Sequence, residues 1–80
     1  MKYGMIRAYS FQKGGGTIEP DNDKEPVVYF STETLLANGI KDIWPGAKVK
    51  YQLGQDPERP HRIAAVKIEL ENDFLIELPF

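Results

Sequence analysis

A single histidine and no cysteine leave this chain of 80 residues few groups for covalent chemistry. One His without Cys marks out no catalytic triad and no transition-metal site. His61 lies between Pro60 and Arg62, where it could touch a base or a phosphate. A solvent-exposed loop residue is the plainer reading. Asp21, Asn22, Asp23 and Glu25 open like a calcium loop, but Pro26 stands where such a loop needs glycine, and Thr32 where it needs glutamate. Lys13-Gly14-Gly15-Gly16-Thr17-Ile18 is glycine-rich, yet no G-K-[ST] follows, so it is not a phosphate loop. Carboxylates occur in pairs without any pair being marked as an acid and base. The residue types favour binding over catalysis, and no cofactor is expected.

The basic residues carry the remaining signal. Arg7 and Lys13 lie in or beside the first strand-like run; Lys41, Lys50 and Arg62 lie in the second half. The acids concentrate between Glu19 and Glu25 and between Glu69 and Glu77. A net charge of −2 therefore allows a modest basic face, with an ordinary mixed surface as the alternative. Hydrophobic residues at 41% and charged residues at 28% describe a globular chain rather than a disordered one. One domain is expected, with a small core and marginal stability. No apolar run approaches membrane-spanning length, and the first residues do not open like a signal peptide. With no cysteine, a soluble cytoplasmic protein without membrane contact is the default expectation.

Strands must position these groups. Residues 2–11 alternate, with Tyr3, Met5, Arg7, Tyr9 and Phe11 on one side and Gly4, Ile6, Ala8 and Ser10 on the other. A second strand is expected at 16–19, after the glycine turn, and a third at 27–30, where Val-Val-Tyr-Phe is dense in β-formers. Ser31 and Thr32 are N-cap types, and Asn38-Gly39 stops the helical turns that follow. Trp44-Pro45-Gly46 is a tight turn. Residues 47–53 alternate, with Ala47, Val49, Tyr51 and Leu53 facing one way. Residues 62–70 form the fifth strand, with Ala64, Val66, Ile68 and Leu70 expected inward. The pattern predicts an all-β protein, a small five-stranded antiparallel barrel with one short helical turn.

The order of residues from Gly4 resembles the cold-shock domain family. The stretches that carry it are Gly4-Met5-Ile6-Arg7-Ala8-Tyr9-Ser10, Lys13-Gly14-Gly15-Gly16-Thr17-Ile18-Glu19-Pro20, Pro26-Val27-Val28-Tyr29-Phe30-Ser31 and Gly39-Ile40-Lys41-Asp42-Ile43-Trp44-Pro45-Gly46. They follow that family's G-T-V-K-W-F-N, K-G-F-G-F-I-x-P, V-F-V-H-F-S and G-F-K-x-L-x-E-G in order. The likeness spans about residues 4–70 and implies an OB-fold barrel over residues 1–70. Residues 71–80 form an extension beyond it.

The resemblance also implies binding of single-stranded RNA or DNA by stacking and by basic residues. On that reading Tyr9, Tyr29 and Phe30 stack bases and Arg7, Lys13, Lys41 and Lys50 meet phosphates; His61 and Arg62 are further nucleic-acid-binding candidates. The family's aromatics are missing at Ala8, Gly15, Thr17, Val27 and Ile40. Losing platforms worth roughly 1 kcal/mol each weakens binding by about three to four orders of magnitude if the terms add. Weak or altered binding is therefore expected, with Phe11, Trp44 and Tyr3 as replacement aromatics. The alternative is a non-enzymatic OB module that binds protein. Trp44 and the apolar residues Phe74, Ile76 and Phe80 motivate it, the tail forming a sixth strand on its own barrel or on a neighbouring copy in a homodimer.

Overall fold

Glycine, proline and polar runs cut the chain into five strands and one helix. In chain order they are β1 (Lys2–Ser10), β2 (Gly15–Pro20), β3 (Val28–Ser31), α1 (Thr32–Ala37), β4 (Lys48–Gln55) and β5 (Ile63–Leu70). The computed structural model describes residues 1–56 and 58–71. The expected extra strand and tail contacts, with Phe74, Ile76 and Phe80, lie outside the described residues.

The strands close into a barrel in the order β1-β2-β3-β5-β4. Neighbours pair antiparallel except β3 and β5, which meet in parallel at Tyr29 and Ala64. A helix between β3 and β4 packs against β5, β3 and β2. This is a small all-β, OB-like barrel. Ile6, Ile18, Phe30, Val49, Tyr51 and Ile68 fill it, each at most 1% exposed. Ser31 caps α1 by accepting the Thr34 N–H on its Oγ at 3.1 Å, and Leu35 is buried against the core.

Two irregularities re-aim side chains. Ile6 pairs with Ile18 but Ala8 pairs with Thr17, so Arg7 is an extra residue on β1. A bulge of this kind reverses the inward and outward sets beyond it. Tyr3, Met5 and Arg7 point outward as the alternation predicts; Ala8 is then exposed, and Tyr9 turns in to stack on Phe30 with ring centres 5.9 Å apart. Likewise Gln52 pairs with Lys67 but Leu53 with Ala65, which leaves Val66 unmatched. Ala65 and Ile68 therefore enter the core and Val66, expected inward, does not; Leu53 of β4, also expected inward, is exposed.

Candidate nucleic-acid interface

The wall formed by β2 and β3, with β1 beside them, places Ala8, Thr17 and Tyr29 in one outward row, each the register partner of the next. The glycine run sits at one end of this wall. Gly14 turns the chain at φ 84°, and its carbonyl accepts the Thr32 N–H at 2.8 Å, tying the β1–β2 turn to the end of β3. That turn carries Phe11, 72% exposed, and Lys13, also exposed. A Cβ on Gly15 would come 2.3 Å from the Phe30 carbonyl oxygen and 2.9 Å from the Tyr29 hydroxyl. The Tyr29 side chain therefore reaches across the wall over Gly15. The same position cannot hold an aromatic while this backbone is kept.

The β4–β5 loop stands at the other end. Because β5 runs parallel to β3, the residues entering β5 lie beside the start of β3. The loop closes on itself: the Asp56 N–H donates to the Arg62 carbonyl at 2.9 Å, and the Arg62 N–H to the Arg59 carbonyl at 2.8 Å. Asp56 is 2% exposed. Its Oδ2 accepts from Arg62 Nε at 2.9 Å and Nη2 at 2.7 Å, while Oδ1 accepts the Glu58 N–H at 2.9 Å. These bonds, Arg62's first, hold the Asp56 carboxyl below the usual carboxylate range. Fixed in this way, the Arg62 guanidinium lies over the Tyr29 ring, its central carbon 4.2 Å from the ring centre. Arg59 and His61 are exposed on the same loop.

The structure thus joins Tyr29 and Arg62, with Lys13 at one end of the wall and His61 at the other. It separates the remaining expected residues from that group. Phe30 is fully buried, so its ring is core and offers no surface to a base. Tyr9 is half-buried, stacked on Phe30, with its hydroxyl 3.3 Å from Thr32 Oγ1. Phe30 is inward by the plain alternation of β3, as Val28 is, and Tyr9 turns in because of the bulge at Arg7, which itself stays exposed. Lys50 stands on β4, on the wall facing away from Tyr29, opposite Tyr3 and 3.7 Å from the Glu69 carboxylate. Lys41 is exposed in the segment between α1 and β4, and Trp44, 51% exposed, precedes the turn at Gly46.

Sequence reasoning missed Asp56. An Asp-Pro pair after a strand reads as ordinary turn chemistry, and only the folded loop shows its carboxylate buried under Arg62. Among the described residues no cluster of His, Cys, Asp or Glu could hold a metal ion, and no helix is long and apolar enough to cross a membrane. No protein-family model matches the chain, and no curated protein matches it in sequence.

Proposed function

We propose that this chain is a cold-shock-like binder of single-stranded RNA or DNA, acting non-catalytically in the cytoplasm through the β2–β3 wall. The observation that carries the reading is the Arg62 guanidinium lying over the Tyr29 ring on that wall. Cationic side chains stand at both ends: Lys13 beside exposed Phe11, and Arg59 beside His61. OB barrels use this wall and these two loops for oligonucleotides. Flat side chains suit unpaired bases, because every base has a π-face. The set is smaller than the cold-shock pattern provides, so binding is weaker and spans fewer bases.

A titration of labelled pyrimidine-rich and mixed-sequence oligonucleotides at two salt concentrations tests it. Binding should weaken with salt by a slope of about −0.7 per phosphate contact, and Lys13→Ala should remove about one such contact. No binding up to high micromolar protein at low salt overturns the proposal. It would leave the protein-interaction reading, which exposed Trp44 favours, as do exposed Tyr3 and Met5 where β1 pairs with β4.

A further inference from the structure

We infer that the surface on which a base stacks is the guanidinium of Arg62 rather than the ring of Tyr29, and that Asp56 is the positioning residue that makes it so. The inference rests on the nucleic-acid reading above and says which atoms receive the base.

Tyr29 is the aromatic in the outward row, and its ring face is already covered. Arg62 occupies it at 4.2 Å. A base arriving at this wall has two courses: displace Arg62 and stack on the tyrosine, or stack on the guanidinium with the tyrosine as support. The geometry decides between them. Lifting Arg62 away breaks both of its bonds to Asp56 Oδ2. Among the described residues the Asp56 carboxylate, 2% exposed with Arg62 in place, would then keep backbone N–H partners alone. Displacement thus breaks two charge-assisted hydrogen bonds for one stacked base, whereas stacking on the guanidinium keeps both. The loop resists the movement too, since Asp56 and Arg62 are also joined through the backbone. Arg62 therefore stays, and the base stacks on it.

The guanidinium is suited to that role. It is planar, always charged and weakly hydrated, and bases stack on arginine planes as they do on aromatic rings. Its Nε and one Nη2 hydrogen point to Asp56. Nη1 makes no hydrogen bond among the described residues, and the side chain is 36% exposed. One residue thus offers a plane for an unpaired base and N–H donors for the phosphate beside it. The implied ligand unit is a single unstacked nucleotide, with neighbours reaching toward Lys13 at one end and Arg59 at the other.

The test is a cycle between protein and ligand. Short single-stranded oligonucleotides carry one abasic nucleotide at each position in turn, which deletes a base and keeps its phosphate. Wild-type protein should lose about tenfold in affinity at one position. Arg62→Lys keeps the charge and removes the plane. It should bind the intact oligonucleotide about tenfold more weakly, with an unchanged salt slope, and lose the abasic penalty. Asp56→Asn leaves Arg62 present but unheld and should shrink that penalty too, an effect that general destabilisation would not produce. In wild-type protein the Arg62 Nε–H resonance should move under the ring current of the bound base while its bond to Asp56 persists, a reading that needs no variant to fold. If wild type binds with a salt slope that Lys13→Ala reduces, but Arg62→Lys keeps the full abasic penalty or binds more tightly, Arg62 is a cap and the inference fails alone. If wild type does not bind, the nucleic-acid reading fails and carries the inference with it.

Discussion

The Tyr29 hydroxyl lies over Gly15, 2.9 Å from where a Cβ on that glycine would stand. The glycine gives room to the aromatic on the neighbouring strand, so one ring spans a part of the wall where the cold-shock pattern has a phenylalanine. Gly15 is thus part of the support under Arg62, and an aromatic at that position would collide with the Tyr29 ring.

Substituting Gly15 tests this relationship. Gly15→Ala should cost about 1–3 kcal/mol or more, because its Cβ meets a backbone oxygen that no rotamer change can move. Gly15→Phe should cost at least as much and bind oligonucleotides no better than wild type. Urea unfolding and the same titration check both. A stable Gly15→Phe protein with tighter binding would contradict the geometry.

Phe30 and Tyr29 are adjacent and opposite in role. Phe30→Ala empties a fully buried site and should cost about 3–5 kcal/mol. Tyr29 is half-buried, so Tyr29→Ala should cost less stability but weaken binding by removing the support under Arg62. Urea midpoints and affinities measured on the two variants should rank them in opposite orders.

Tyr51 fills the barrel with a hydroxyl that makes no hydrogen bond among the described residues. An unpaired buried polar atom costs about 1–3 kcal/mol, so Tyr51→Phe should be neutral to stabilising. Burial, first among its causes, also pushes the phenol pKa above its ordinary value of about 10. Above that pH the unfolded chain releases the proton while the folded one keeps it, so stability falls as pH rises toward the folded pKa. Tyr51→Phe should flatten this alkaline decline in thermal melts; an unchanged decline would place it elsewhere.

Asp56 gives the opposite limb. Its folded pKa is depressed by Arg62 and by the Glu58 N–H. It therefore contributes stability that is present above the unfolded pKa of about 3.9 and lost as pH falls through the folded value. Melts of wild type and Asp56→Asn should converge at acid pH and separate toward neutrality. A constant difference across that range would mean that the carboxylate charge is not what holds the loop.

The amino-acid sequence by itself determined the strand segments and their breaks. Alternation in residues 47–53, the β-formers before Ser31 and the turns at Gly14, Gly39 and Gly46 are local effects, because side-chain period and backbone freedom act within a few residues. The chain order of those segments was enough to expect a five-stranded barrel. Which side chains face out was decided by the tertiary structure. The extra residues Arg7 and Val66 arise where strands must bend to close the barrel, and each shifts the faces beyond it by one position. The shift on β1 put Tyr9 against Phe30, and the shift on β5 put Ala65 rather than Val66 in the core. The Asp56–Arg62–Tyr29 arrangement came later still in the hierarchy, because only the parallel closure of β3 on β5 brings the loop to the tyrosine. Asp56 and Arg62 are only six residues apart, but an irregular loop has no period from which their pairing could be read.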